Sequence, residues 1–151
     1  MIALIQRVLE ASAAVDSEVV GAIDKGILIL LGVRKDDNEE EAKYLAAKAA
    51  NLRIFNDENG KMNVSLLDTD GNALVVSQFT LHADTRHGNR PSFIDAAESE
   101  QAEHLYRIFI DELKYTIGFH RVAEGKFGAM MKIKLINDGP VTITLKSKNE
   151  Y

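Results

Sequence analysis

Ile27-Leu28-Ile29-Leu30-Leu31-Gly32-Val33 is apolar from end to end, with no polar residue at alternate positions. A strand with one wet face alternates, whereas a strand covered on both faces reads as an unbroken apolar run. This run is therefore the core of a sheet. Towards the N-terminus, Ile2 to Asp16 mixes apolar and polar positions with several β-branched residues, Asp16-Ser17-Glu18 interrupts it, and Val19 to Ile23 resumes. That pattern predicts a hairpin, and Asp24-Lys25-Gly26 is the turn that leads into the core strand. Towards the C-terminus the composition becomes acidic over Asp36-Asp37-Asn38-Glu39-Glu40-Glu41. Asn38 with Glu41 three residues on forms a capping box, and acids there suit the positive end of a helix dipole. Ala42, Leu45, Ala46 and Ala49 follow at helical spacing, a narrow stripe of small residues suited to lying close against a sheet. The acidic cluster is read as a solvated cap.

Arg53-Ile54-Phe55 predicts a short strand, Asn56-Asp57-Glu58-Asn59-Gly60 a loop, and Asp68-Thr69-Asp70-Gly71-Asn72 a turn. The acids in these two segments do not have EF-hand spacing, and turn chemistry accounts for them. Ala102, Leu105, Tyr106, Phe109, Ile110 and Leu113 recur at helical spacing, so a second amphipathic helix starts near Asp95 or Ser99. Beyond Gly118, short strands are expected around Phe119 to Val122, over Met131 to Ile136, and over Val141 to Leu145, the last two separated by the turn Asn137-Asp138-Gly139-Pro140. Strands outnumber helices and hairpins dominate. The expected architecture is a single α+β domain over 1–151, a curved, barrel-like, mainly antiparallel sheet with two packed helices.

Composition excludes several classes of function. The chain has 151 residues, 46% of them hydrophobic, enough for one domain with a sizeable core. No apolar run reaches the roughly 18 to 20 residues of a membrane span, and Arg7 follows the first apolar residues instead of preceding them, so a cytoplasmic protein is expected. Without cysteine there is no disulfide framework and no thiolate site. His82, His87, His104 and His120 are scattered with no i, i+4 pair, which argues against a metal centre; no cofactor is expected. A net charge of -5 and a pI near 5.4 disfavour a long nucleic-acid footprint, although contact with a nucleic-acid end remains compatible. One loop stands out against that acidity: His82 to Phe93 carries Arg86, His87 and Arg90 and is too long for a tight connection.

The chemistry concentrates in Ala73-Leu74-Val75-Val76-Ser77-Gln78-Phe79-Thr80-Leu81. Val75 and Val76 suit a buried strand, while Ser77, Gln78 and Thr80 bring hydroxyls and an amide that do not titrate near neutrality. Such groups orient and polarise a substrate; alternatively, Ser77 and Thr80 satisfy nearby backbone at a strand end. Arg7, among aliphatics in the first strand, either snorkels at a sheet edge or serves the site.

Ser77-Gln78-Phe79-Thr80-Leu81 together with Asn137-Asp138-Gly139-Pro140-Val141-Thr142 resembles the paired signature of the D-aminoacyl-tRNA deacylases. The resemblance extends to Ile5-Gln6-Arg7-Val8, Gly60-Lys61-Met62-Asn63, Arg90-Pro91-Ser92-Phe93 and Gly125-Lys126-Phe127, in order along nearly the whole chain. It implies a homodimer that hydrolyses the ester of D-aminoacyl-tRNA, or of mischarged glycyl-tRNA, at the aminoacylated 3′ end and rejects the L-form. It also implies that backbone N–H groups near Phe79 and Thr80 face the developing oxyanion, in a catalytic stretch Ser77, Gln78, Phe79 and Thr80. Gly139 and Pro140, inserted across the interface with the bond between them cis, would hold the α-amino group. Arg7 would brace that dipeptide, and Phe127 with Met130 would line the adenosine pocket. Two rival readings survive: a non-catalytic nucleic-acid-binding module using Arg86, Arg90, Phe93 and Phe127, and a small-ester hydrolase with Thr80 as nucleophile. A scaffold without chemistry would leave the polar end of a buried strand unexplained.

Overall fold

The computed structural model describes residues 1–148. The first strand, β1 (Ile2–Val15), is the longest-range organiser: it runs antiparallel to β2 (Glu18–Ile23), β3 (Gly26–Gly32) and β8 (Lys132–Lys146). It can serve three partners because its halves divide the work. Ile2 to Val8 pair with β3 on one edge, Ala11 to Val15 with β2, and β8 follows the other edge along most of its length. Asp16 and Ser17 have φ of 48° and 70°, the left-handed pair that a two-residue hairpin needs to match strand twist. β3 is buried along nearly its whole length, as its unbroken apolar run requires.

After β3 come α1 (Glu39–Ala50), the hairpin β4 (Arg53–Asn56) and β5 (Met62–Ser65), and β6 (Asn72–Ser77), which returns parallel to β3. α2 (Ser99–Ile117) then carries the chain over to β7 (Val122–Glu124), parallel to β6. The sheet order is β2-β1-β3-β6-β7 with β8 beside β1. Antiparallel pairs are the majority, as expected, but β6 sits between two parallel neighbours, so the sheet is mixed; each helix supplies one of the crossovers that parallel pairing demands. One core lies between sheet and helices and includes Ile5, Ile29, Leu45, Val75 and Phe109; a smaller one on the other face joins Val8, Leu28, Leu74 and Val76.

Several local expectations are corrected. Asn137-Asp138-Gly139-Pro140 does not reverse the chain: both flanks belong to β8 and both pair with β1, Val8 opposite Asn137 and Gln6 opposite Thr142. Asp138 to Val141 therefore form a bulge facing the single residue Arg7. β1 has partners on both edges there, so Arg7 is not an edge residue; it is only 8% exposed. Met62–Ser65 is a strand that the sequence did not suggest, and Phe119–Arg121 is a 3₁₀ turn ahead of β7. The capping box of α1 forms as expected, but the acidic cluster is not wholly solvated. Asp37 is buried and accepts from the Met1 ammonium and the Arg34 N–H, and Glu41 is buried against Asn38. No described helix is long and apolar enough to cross a membrane. Of the expected 1–151 domain, residues 149–151 lie outside the described part.

Candidate active site

β6 ends where its apolar run ends. Ala73 to Val76 are buried, Ser77 pairs with Leu31, and the Gln78 N–H donates to the Leu31 carbonyl at 2.8 Å as the last bond of the ladder. The chain then tightens into a 3₁₀ turn over Phe79–His82, so the polar residues stand at the carboxyl end of a parallel strand, where open α/β sheets place ligands. Thr80, read as part of the strand in the sequence, is an exposed turn residue. The first N–H groups of such a turn, those of Phe79 and Thr80, have no acceptor inside it, because the first internal bond runs from Leu81 N to the Gln78 carbonyl.

A cleft of about 460 Å³ opens beside this turn, within the range of small-ligand sites. Ser77, Gln78 and Phe79 form one side, Phe93, Ala97 and Ser99 another, and Tyr106 with Phe127 a third. Two aromatic pairs frame it: Phe79 meets Phe93 edge-on with centroids 5.1 Å apart, and Tyr106 lies tilted against Phe127 at 5.5 Å. The Tyr106 hydroxyl donates to the Val75 carbonyl at 2.9 Å, which the Gly125 N–H also reaches at 2.8 Å. Burial, reinforced by the negative charge of Glu124, pushes the Tyr106 hydroxyl far above its usual range, so it is a neutral donor that fixes Phe127 relative to β6. Sequence reasoning assigned Tyr106 to the helix stripe alone; the signal was a hydroxyl on an otherwise apolar face, which needs a partner once buried.

The cleft contains donors and aromatic walls but no activated nucleophile. Thr80 Oγ1 accepts from Gln78 Nε2 at 2.5 Å, and an amide cannot take the hydroxyl proton. Among the described residues there is no group of three or more His, Cys, Asp or Glu placed to hold a metal ion.

The remaining expected site residues lie elsewhere in the chain. Gly139 and Pro140 are exposed, joined by a cis bond, and do not line the cleft. A Cβ on Gly139 would stand 2.6 Å from Val141 N, so the bulge admits only glycine there without moving backbone. Arg7 holds the bulge: Nε donates to the Asp138 carbonyl at 2.9 Å and lies 3.3 Å from its carboxylate, while Nη1 donates to the Ile54 carbonyl at 2.6 Å. A second cavity of about 440 Å³ adjoins Arg7 and Asp138. Met130 is 92% exposed and lines neither cavity. Within one chain, then, Ser77, Gln78, Phe79 and Phe127 share a cleft that Thr80 does not line, while Gly139 and Pro140 project separately above the buried Arg7.

Comparison with known proteins supplies the family. A family model described as D-Tyr-tRNA(Tyr) deacylase matches residues 4–146. The chain is 54% identical to the D-aminoacyl-tRNA deacylase of Fervidobacterium nodosum over the whole of both chains. It is 60% identical to that of Roseiflexus castenholzii over 97% of this chain and 92% of the relative. The solved structure of the c-Myc DNA Unwinding Element Binding Protein superposes with a TM-score of 0.93 at 43% identity, covering 97% of this chain and 99% of that one. A probable eukaryotic D-amino acid tRNA deacylase shares the fold, with a TM-score of 0.81 at 16% identity over 95% and 97% of the two chains. By a full-length match in sequence and in backbone, the chain belongs to the D-Tyr-tRNA(Tyr) deacylase family.

Proposed function

We propose that the protein hydrolyses the ester bond of D-aminoacyl-tRNA, releasing a free D-amino acid and tRNA. The observation that carries this reading is a cleft at the end of β6 furnished with donors, in which the Thr80 hydroxyl meets the Gln78 amide and no base; the one carboxylate of the lining, Glu98, is exposed. An aminoacyl ester is already activated, so positioning and oxyanion stabilisation suffice. Water adds to the ester carbonyl carbon, and the Phe79 and Thr80 N–H groups hold the resulting oxyanion. Collapse breaks the bond to the ribose oxygen, which leaves with a proton relayed from the attacking water by the neighbouring ribose hydroxyl. Thr80 positions the substrate, Ser77 and Gln78 order the turn, and Phe127 offers its face to the terminal adenine.

The protein acts as a homodimer in which Gly139 and Pro140 of one subunit enter the cleft of the other. Their separation from the cleft of their own chain supports this arrangement, as does the support that Arg7 gives to a bulge whose Gly139 and Pro140 stand exposed. Their carbonyls hold the substrate's α-amino group, and their backbone faces the α-carbon where an L-side chain would stand; a D-residue or glycine meets no obstacle. Release of free amino acid from D-tyrosyl-tRNA, under multiple turnover, tests the reading. Tight binding with no release would instead favour a non-catalytic module.

A further inference from the structure

Residues 85–91 form a finger, and every one of them is exposed. Its two ends are clamped: the Asp84 N–H donates to the Ser92 carbonyl at 2.8 Å and the Ser92 N–H donates back at 2.9 Å. Asp84 also grips Arg86, which donates from Nε at 2.9 Å and from Nη2 at 2.7 Å. The finger holds Arg86, His87 and Arg90 and no acid, on a protein whose net charge is -5. Among the described residues, Arg90 has no ion-pair partner, so the fold does not consume its charge. Phe93, the residue after the clamp, is a wall of the cleft and stacks edge-on against Phe79. A cationic projection is thus rooted in the rim of the candidate active site. Arg90 is three residues from Phe93, a reach of at most about 10 Å, which is about three nucleotides at about 3.4 Å each.

We propose that the finger Thr85–Pro91 grips the phosphates of the tRNA acceptor strand within about three nucleotides of the cleft, with Arg90 as its principal contact. The proposal rests on the deacylase reading for the identity of the chain it meets. On that reading an acidic protein with few phosphate contacts draws its affinity for tRNA from one rooted cationic loop and not from a basic face. Phosphate contacts of this kind position a nucleic acid without reading its sequence.

The test measures the affinity of uncharged tRNA between 50 and 200 mM salt for the wild type, Arg90→Ala and Arg90→Lys, beside kcat and KM on D-tyrosyl-tRNA and on D-tyrosyl-adenosine. Losing one phosphate contact lowers the slope of log affinity against log salt by about 0.7 to 0.9, so the advantage of wild type over Arg90→Ala shrinks about threefold over that range. Arg90→Lys keeps most of the slope. KM for D-tyrosyl-tRNA rises in Arg90→Ala at unchanged kcat, while D-tyrosyl-adenosine, which has no phosphate, is hydrolysed as by wild type. An unchanged salt slope, an equal loss on both substrates, or an equal loss of affinity for duplex DNA of matched length would overturn the assignment. Failure of the deacylase reading looks different: no release of amino acid by any variant, with the slope still reporting on the finger.

Discussion

Replacing Arg7 with alanine tests whether the bulge is held from below. Arg7 is 8% exposed and donates to two backbone carbonyls, Asp138 at 2.9 Å and Ile54 at 2.6 Å. A hydrogen bond from a charged donor contributes about 1.5 kcal/mol or more, so losing two costs about 3 kcal/mol and leaves the carbonyl of buried Ile54 without its partner. The ion pair with Asp138 adds less than about 1 kcal/mol, because the Asp138 side chain is 35% exposed. For a domain of this size the total corresponds to a fall in Tm of roughly 10 °C. Arg7→Lys keeps the charge, but a single ammonium cannot fork to both carbonyls, so about half the loss is expected. Urea unfolding, compared at one fixed protein concentration because self-association adds to apparent stability, measures both variants. A change in Arg7→Ala of less than about 0.5 kcal/mol, the scatter of ordinary surface substitutions, would refute the bracing role.

Three further outcomes follow from the site. On the proposed role, in which the Thr80 hydroxyl positions and does not attack, Thr80→Ala retains measurable deacylation; an acyl group trapped on Thr80 by rapid quench and mass spectrometry would reverse that assignment. Sedimentation at micromolar concentration gives a dimer, and a fully active monomer would contradict a site completed by a second subunit. The Arg86 side chain, with its backbone N–H, holds the Asp84 carboxyl at about 2, below the usual 3.8. A depressed carboxylate favours the folded loop at all pH above the unfolded value and loses that contribution as pH falls from about 4 to about 2. The Asp84–Arg86 contact at the base of the finger is therefore intact at neutral pH, and Arg86→Ala returns the Asp84 titration, followed by NMR, towards 3.8.

Much of this was legible in local sequence. The Ile27–Val33 run, the Asn38 capping box and the Leu105-to-Leu113 stripe each fix an element through contacts a few residues apart, and each appears where the pattern placed it. What was not legible depended on distant pairing. Asn137 to Pro140 has turn residues between two strand-like flanks, and nothing within that segment reveals that both flanks face the fourteen residues of β1. The parallel neighbours of β6 are likewise a property of the crossovers, not of Ala73 to Ser77. Within the site, the chemistry of Ser77 and Gln78 is legible in the residues themselves and Phe127 only through the family resemblance, while Thr80 reads as strand because an apolar Leu81 follows it. Tyr106 was missed because its ring satisfies the helical stripe and its hydroxyl alone carries the positioning. That Gly139 and Pro140 stand outside their own chain's cleft could not be read from sequence spacing, since the separation of β8 from the end of β6 is set by the sheet order and leaves no local mark.

The central claim is stereochemical exclusion by the backbone at Gly139 and Pro140, and deacylation of three substrates by one enzyme preparation tests it most directly. In the proposed arrangement the α-amino group and the ester carbon are both held, and the position that faces Pro140 accepts hydrogen and excludes a methyl group. An L-side chain must enter it, at a cost of several kcal/mol and roughly a factor of ten for each 1.4 kcal/mol. Single-turnover rates should therefore place D-tyrosyl-tRNA and glycyl-tRNA together, with L-tyrosyl-tRNA untouched at enzyme concentrations that clear both. Clearance of L-tyrosyl-tRNA at a comparable rate, or glycyl-tRNA resisting concentrations that clear the D-form, would contradict it.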